Sequence, residues 1–360
     1  MEKTKVAVIG CGNISGIYFK NLTKIFHNVE VVACSDLDRA RAEKAAEEYG
    51  IPWVMTTEEL LASDQVELVL NLTTPPIHYR ICEAALNAGK HVYVEKPLSL
   101  TREEGKKLME LAREKKLLLG GAPDTFLGGG LQTCRKLVED GWIGKVVGGT
   151  AFMTCHGHES WHPDPEFYYQ KGGGPLLDMG PYYLTALVSL IGPVQSVTGE
   201  AQKTFETRTI TSEKKYGKVI PVEVPTHISA LLRFCNGACV NLMMSFDVWE
   251  ANLPRIELYG TEGSLSVPDP NTFGGPVKIR RHHHSGWNEV PLTHGYSENS
   301  RGYGVSDMAA ALRESRVPRA GGQLAYHVLD IMHSILESAE AGKRIMLEST
   351  VQKPAPVEIG

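Results

Sequence analysis

The sequence has no long hydrophobic run, little net charge and few cysteines. No apolar stretch approaches the roughly 20 residues that a transmembrane helix needs. The 37 basic and 42 acidic side chains leave a formal charge of −5, which gives no sign of a nucleic-acid-binding surface. The first residues enter a strand pattern without the apolar segment of a secretory signal. We therefore expect a soluble cytoplasmic protein with neither a nucleic-acid nor a membrane partner.

The seven cysteines are scattered and odd in number, which argues against a disulfide framework. Only Cys235 and Cys239 lie close together, and the Asn-Gly pair between them is typical of a hairpin turn. The run His282–His284 resembles a metal cluster, but successive side chains on a strand point to opposite faces. We expect no metal site in the chain.

The first third of the chain alternates apolar runs with helical patterns. Apolar runs of strand length lie at residues 5–10, 29–34, 66–72, 91–94 and 117–119. Helical patterns lie at residues 39–49 and 77–88, and another begins at Ser99 or Thr101 and ends at Lys115. Strands that alternate with helices indicate a parallel sheet with right-handed crossovers. The pattern predicts an α/β domain with a doubly wound Rossmann sheet.

A glycine-rich turn follows the first strand and opens the first helix. Gly10 permits the tight turn, and Gly12 lets the backbone approach a pyrophosphate at the helix N-terminus. Ser15 stands where such motifs carry a third glycine, and it is small enough for close helix–strand packing. The turn therefore predicts a dinucleotide site, to which Asn13 and Ile14 also belong.

Asp36 ends the second strand, about 20 residues after the last position of the turn. A carboxylate at this point can accept hydrogen bonds from the adenosine ribose, and it would repel a 2′-phosphate. NAD is therefore favoured over NADP. Two alternatives remain open: Arg39 could neutralise a phosphate, and Asp36 could only cap the next turn.

Several later motifs give the chain a family resemblance. Residues 89–98 read GKHVYVEKPL, and the strand ends in Glu95-Lys96-Pro97 at the carboxyl edge of the predicted sheet. Thr74-Pro75-Pro76 with His78 precedes this segment, and Gly172–Gly174 with Asp178-Met179-Gly180 follows it. With these motifs the chain resembles the glucose–fructose oxidoreductase/inositol dehydrogenase (Gfo/Idh/MocA) family over essentially its whole length.

The resemblance implies a dehydrogenase that uses NAD(P) and acts on CH–OH groups of sugars or polyols. The candidate cofactor-binding residues are Gly10, Gly12, Asn13, Ile14, Asp36, Arg39, Thr73, Thr74, Pro75, His78, Glu95 and Lys96. Lys96 would donate hydrogen bonds to the nicotinamide ribose and to the substrate hydroxyl, and the resemblance makes it part of the catalytic group.

The pattern changes after Ala122-Pro123. A helix at residues 131–141 is followed by strand runs at 146–155, 194–198, 227–235, 238–246, 255–259, 264–267 and 277–281, and a helix at 326–341 follows them. This order predicts an α+β domain with a large, open, mostly antiparallel sheet. We expect residues 1–123 to bind NAD(P) and residues 124–360 to bind substrate. The resemblance implies that the second domain also forms a homodimer or homotetramer.

Asp178 and Tyr182 complete the candidate catalytic group with Lys96. They lie four residues apart, so both can point from one face at the start of a helix. The family usually has histidine at the second of these positions, and this sequence has Tyr182. A phenol ordinarily titrates near pH 10, so Tyr182 could accept the proton only if Lys96 and the nicotinamide charge lower its pKa. Otherwise Lys96 takes the proton and Tyr182 orients the substrate, and both assignments stay open.

The segment 156–174, HGHESWHPDPEFYYQKGGG, is a long polar and aromatic loop. A loop of this kind inside a compact domain is typical of a functional site. Its donors, acceptors and stacking faces suit a polyhydroxylated ring. The candidate substrate-binding residues are His156, His158, Trp161 and His162, although any single histidine could be a solvated loop residue.

Three functions fit these observations. The first is NAD-dependent oxidation or reduction of a secondary hydroxyl on a sugar, cyclitol or glycoside, in which Lys96, Asp178 and Tyr182 handle the proton. The alternative enzyme class is a redox-neutral lyase or glycosidase with tightly bound NAD, which the same residues would suit. The third is a non-catalytic NAD-binding regulator, against which the retained lysine argues.

Overall fold

The computed structural model describes residues 2–359, which form two compact units. The first unit extends to Leu127 and also includes Glu298–Leu329. The second consists of Gly128–Ser297 and of the described residues from Asp330 onward. The return of the chain to the first unit after residue 297 carries no signal in the sequence pattern.

The first unit contains a six-stranded parallel sheet. Its strands are β1 (Thr4–Ile9), β2 (Val29–Ser35), β3 (Trp53–Val54), β4 (Leu68–Asn71), β5 (His91–Val94) and β6 (Leu119–Gly121). They lie in the order β3-β2-β1-β4-β5-β6, and every neighbouring pair is parallel. The order reverses between β1 and β4, which is the point where open α/β sheets bind ligands. The predicted doubly wound sheet is confirmed.

Helices connect these strands. They are α1 (Ser15–Lys24), α2 (Arg39–Tyr49), α3 (Thr57–Ala62), α4 (Pro75–Asn87) and α5 (Arg102–Lys115), and the returning segment adds α8 (Tyr303–Glu314). Of the two predicted caps for α5, the structure has Thr101, whose hydroxyl accepts from the backbone of Glu104 in a reciprocal capping box. The apolar strands and the inner helix faces form a buried core that includes Ala7, Val69 and Val92.

The second unit is built on a nine-stranded sheet. In chain order its strands are β7 (Val146–Thr154), β8 (Val194–Gln202), β11 (His227–Phe234), β12 (Cys239–Ser245), β13 (Ile256–Gly260), β14 (Gly263–Val267), β15 (Val277–Arg281), β16 (Asn288–Val290) and β17 (Ile345–Met346). Neighbouring strands are antiparallel except β7 and β12. The predicted mostly antiparallel sheet is confirmed. A separate ribbon pairs β9 (Thr207–Thr209) with β10 (Val219–Pro221).

Helix α7 (Gly174–Ile191) packs against this sheet at β7, β11 and β12, and nearly all of its residues are buried. The remaining helices are α6 (Gly129–Glu139) and α9 (Gly322–Ala341). A burial this complete explains why the sequence of α7 is apolar on all sides. Within residues 2–359, no helix combines the length and the apolar character that crossing a membrane requires.

A buried carboxylate connects the returning segment to the rest of the first unit. Asp124 is 1% exposed, and its Oδ2 accepts hydrogen bonds from the backbone of Gly302 at 2.8 Å and of Gly304 at 3.0 Å. These bonds satisfy N–H groups at the start of α8. Burial raises the pKa of the Asp124 carboxyl from 3.8 to about 6.

We expect Asp124→Asn to remove a pH dependence of stability. Since the folded-state pKa lies above the unfolded one, the folded protein keeps a proton that the unfolded chain releases as the pH rises from about 4 to 6. Asp124 therefore lowers the free energy of unfolding across this window by about 3 kcal/mol. Urea unfolding of both proteins at several pH values measures the difference. The variant should gain stability relative to the wild type as the pH rises, and a difference that does not change with pH would contradict the prediction.

Candidate active site

The glycine-rich turn lies where the strand order reverses. Gly10 has a φ of +102°, and a Cβ built on it would lie 2.7 Å from the carbonyl carbon of Leu72, just after β4. A Cβ built on Gly12 would meet no described atom within 4 Å, so the space beside the turn is open. The Ser15 hydroxyl donates to the Gly12 carbonyl at 2.7 Å and secures the turn.

The start of α1 suits an anionic ligand. Ile14 is the N-cap residue and makes no side-chain capping bond, and both Asn13 and Ile14 are exposed. The first N–H groups of a helix carry a partial positive charge and bind phosphate when no side chain satisfies them. Together with the open space at Gly12, this arrangement fits the pyrophosphate of a dinucleotide.

The Asp36 carboxylate accepts hydrogen bonds from the glycine-rich turn and from the turn that follows β2. Its Oδ2 accepts from the backbone of Cys11, and its Oδ1 accepts from the backbone of Asp38, both at 2.8 Å. The carboxylate therefore caps the next turn and also stands beside the glycine-rich turn. Arg39 is exposed and pairs with Glu43 at 2.8 Å along α2.

His78 joins the loops that follow β4 and β5. The imidazole is fully buried, with Nδ1 2.7 Å from the Pro97 carbonyl and Nε2 2.9 Å from the Thr73 carbonyl. Burial lowers its pKa. Thr74 is the N-cap residue of α4 and Pro75 its first residue, so these predicted residues lie at one helix start. His78 thus contacts protein carbonyls on both sides of its ring and positions the two loops.

Lys96 follows β5 at the same edge of the sheet. Glu95 beside it is 8% exposed and accepts from the Tyr18 hydroxyl and from the Lys96 backbone, each at 2.8 Å. The Lys96–Pro97 bond is cis. Burial raises the pKa of Tyr18 well above its usual value, so the phenol stays protonated and donates a hydrogen bond to the Glu95 carboxylate. The turn carrying Lys96 is therefore anchored from α1.

In the second unit, Asp178 and Tyr182 lie one turn apart on α7. The Asp178 side chain is 18% exposed, and Tyr182 is buried at 7%. A Cβ on Gly173 would lie 2.4 Å from the Phe167 carbonyl oxygen, so only glycine lets the preceding loop close against the start of this helix. That loop carries the predicted histidines.

The structure brings one of these histidines to Asp178. His158 Nε2 lies 3.7 Å from Asp178 Oδ2. His156 instead stacks on Trp249 with ring centroids 3.4 Å apart. His162 Nδ1 accepts a hydrogen bond from the backbone of Asp164 at 3.0 Å, and burial lowers the pKa of this imidazole.

A buried arginine holds the loop, and no pattern in the sequence indicates it. Arg208 on β9 pairs with Glu159 at 2.9 Å and with Asp247, and it donates to the Phe246 carbonyl at 2.9 Å. The Tyr169 hydroxyl donates to the same Glu159 carboxylate. Since a buried charge is tolerated only when paired, this network fixes the loop next to β12. Arginine in a short polar strand resembles any surface residue until its tertiary partners are known.

The remaining candidates are exposed. Trp161 is 61% exposed and packs edge-on against His158 with ring centroids 5.3 Å apart. His282, His283 and His284 are exposed on a hairpin. Within residues 2–359, no group of three or more His, Cys, Asp or Glu side chains is arranged to hold a metal ion.

Comparison with known proteins identifies relatives. The model described as "Oxidoreductase family, NAD-binding Rossmann fold" matches residues 4–121, and the "GFO/IDH/MocA C-terminal domain" matches residues 131–266. An uncharacterized oxidoreductase of Schizosaccharomyces pombe is 31% identical over 317 residues, which cover 78% of this chain and 85% of the relative. A dTDP-3,4-didehydro-2,6-dideoxy-alpha-D-glucose 3-reductase of Streptomyces antibioticus is 30% identical over 260 residues, 71% of this chain and 73% of the relative.

Solved structures share the fold. A levoglucosan dehydrogenase in complex with NADH and levoglucosan superposes with a TM-score of 0.81 at 21% identity, and the match covers 97% of this chain and all of that chain. The family models together span both units, and the relatives match most of the chain. The chain therefore belongs to the Gfo/Idh/MocA family of oxidoreductases, and its first unit contains the family's NAD-binding Rossmann fold.

Proposed function

We propose that the protein is an NAD-dependent oxidoreductase that interconverts a secondary hydroxyl and a ketone on a sugar, cyclitol or glycoside. The names of the Streptomyces reductase and of levoglucosan dehydrogenase both specify sugar chemistry, which supports this substrate class. The observation that carries the proposal is the anchored turn of Lys96, at the carboxyl edge of a sheet whose first turn fits a dinucleotide.

The first unit supplies the cofactor site in this proposal. Gly10 and Gly12 make room for the pyrophosphate, the first N–H groups of α1 bind it, and Asp36 accepts from the adenosine ribose. Thr73, Thr74 and Pro75 line the same edge after β4. When bound, NAD supplies the hydride acceptor.

Lys96 handles the substrate oxygen in this scheme. In one form of the scheme Lys96 is an ammonium that donates a hydrogen bond to the hydroxyl and stabilises the negative charge that develops on the oxygen, and the proton passes to an ionised Tyr182. In the other form Lys96 is a neutral amine that accepts the proton itself, and Tyr182 orients the hydroxyl together with Asp178 from α7. The loop residues His156, His158, Trp161 and His162 bind the remainder of the ring, for which the exposed indole offers a stacking face.

Three further assignments are part of the proposal. Residues 1–123 bind cofactor and residues 124–360 bind substrate, the protein is a homodimer or homotetramer, and it is located in the cytoplasm. Light scattering at micromolar concentration tests the oligomeric state.

The proposed function predicts NADH formation from at least one member of a panel of polyols, cyclitols and glycosides, with NADP assayed in parallel. The absorbance of the reduced nicotinamide measures it. A panel in which substrate disappears without net NADH, on protein that retains NAD after desalting, would instead indicate a redox-neutral lyase or glycosidase.

Lys96→Ala should lower kcat by about 10²- to 10⁴-fold, because it removes the group that stabilises the developing alkoxide. NADH binding, followed by nucleotide fluorescence, should persist and weaken only by the loss of one hydrogen bond to the nicotinamide ribose. Lys106→Ala on the exposed face of α5 is the matched control and should leave both quantities unchanged. A Lys96 variant that keeps most of its turnover would refute the role of this lysine.

Asp36→Asn should weaken the preference for NAD over NADP by about tenfold or more, because it removes the charge that repels a 2′-phosphate. Asparagine keeps one oxygen that can accept from the Cys11 backbone and loses the oxygen that accepts from the Asp38 backbone, so the turn after β2 loses one hydrogen bond. The ratio of kcat/KM for the two cofactors measures the effect. An unchanged ratio would mean that Asp36 serves only as a cap.

A further inference from the structure

The two proton acceptors of the proposed function, Lys96 and Tyr182, are of residue types that ordinarily titrate well above neutral pH. Phenol and ammonium groups ordinarily titrate near pH 10, whereas an imidazole changes charge between about pH 5 and 8. Helix α7 carries Asp178 and Tyr182 but has no histidine beside them. The structure supplies one from the preceding loop, since His158 Nε2 lies 3.7 Å from Asp178 Oδ2.

Packing fixes the His158 ring in this position. The ring contacts Tyr168 at 4.1 Å and Phe246 at 4.6 Å between centroids, and its side chain is 13% exposed. The His158 backbone donates to the Tyr169 hydroxyl at 3.4 Å, and that hydroxyl is tied to Glu159 and through it to Arg208. The His158 side chain is therefore held in place by packing and largely shielded from solvent.

The buried nitrogen faces a carboxylate. His158 Nε2 is inaccessible to solvent and has no hydrogen-bond partner among the described residues, and the Asp178 carboxylate lies within ion-pair distance. A carboxylate at this position favours the tautomer that carries its proton on Nε2, which leaves the lone pair on Nδ1. The same carboxylate stabilises the imidazolium that forms when Nδ1 takes a proton.

We propose that His158, oriented by Asp178, is the residue on which the proton of the substrate hydroxyl ends during oxidation. This inference rests on the proposed function. In the step, the C–H electron pair leaves as hydride to the nicotinamide, the O–H proton goes to Nδ1 of His158 directly or through Tyr182, and a carbonyl remains. The reverse transfer protonates the oxygen during reduction.

Two ionisable neighbours of His158 have pKa values that burial shifts away from neutral pH. Burial raises the pKa of the Tyr169 phenol, which stays protonated. Burial lowers the pKa of His162 on the same loop, which favours its neutral form. Tyr168 and Trp161 are the remaining neighbouring rings, and Phe246 is apolar. Asp178 on α7 is the charged group opposite the imidazole.

The test compares pH profiles of kcat for the wild type and for His158→Gln. The wild-type kcat for oxidation should fall as the pH decreases from about 8 to 5.5, because a protonated imidazole accepts no further proton. In His158→Gln, kcat should be lower by about 10²-fold at pH 7.5, and this acidic limb should disappear. Imidazole added to His158→Ala should restore part of the rate.

His294→Gln is the matched control, since His294 is also a partly buried histidine of the second unit and bonds the Val357 carbonyl at 3.1 Å. It should keep the wild-type profile. An acidic limb that persists in His158→Gln with kcat within about twofold of wild type would overturn the inference. That outcome leaves the proposed function intact, whereas a wild type that turns over no panel member refutes the proposed function.

A second measurement needs no turnover. Long-range ¹H–¹⁵N spectra at pH 8 report the tautomer of each imidazole, and His158→Gln identifies the signals of His158. We expect the Nε2–H form in the wild type and a shift toward the Nδ1–H form in Asp178→Asn. A His158 tautomer that does not respond to Asp178→Asn would overturn the pairing on which the inference rests.

Discussion

The close approach of Gly10 to the carbonyl of Leu72 is the constraint on which the cofactor half of the site depends. It requires a residue without a Cβ at a positive φ, and it brings the turn after β1 against the loop after β4. His78 then ties that loop to the turn after β5, and Glu95 ties the β5 turn to α1. The residues proposed to hold NAD and substrate oxygen therefore lie on mutually anchored loops.

In the second unit, buried charged side chains anchor the loop at residues 156–174. A polar loop of nearly twenty residues has little apolar surface with which to order itself, so hydrogen bonds must do so. Arg208 pairs with two carboxylates and also bonds the backbone after β12, and the loop thereby stays against the sheet. This ordering holds the His158 imidazole beside Asp178 and away from bulk water.

Features with a local cause could be predicted from the sequence. The strand runs of the first unit, the cap at Thr101 and the position of Asp36 after β2 all follow from patterns within a few residues. The short elements β3 and α3 were not predicted, because two strand residues and six helical ones carry too little periodicity. The addition of Glu298–Leu329 to the first unit depends on contacts such as Gly302 with Asp124, which lie far apart in sequence.

The sequence by itself determined the doubly wound sheet, the glycine-rich turn and the lysine after β5, because strand periodicity, glycine conformation and motif spacing are local properties. It left the histidines of the loop equivalent, since each is a polar residue in a polar segment. Only the tertiary structure distinguishes them. His156 stacks on Trp249, His162 accepts a hydrogen bond from the Asp164 backbone, and His158 lies 3.7 Å from Asp178. The reason is that the neighbours of a loop side chain come from distant strands and helices, and no local pattern records them.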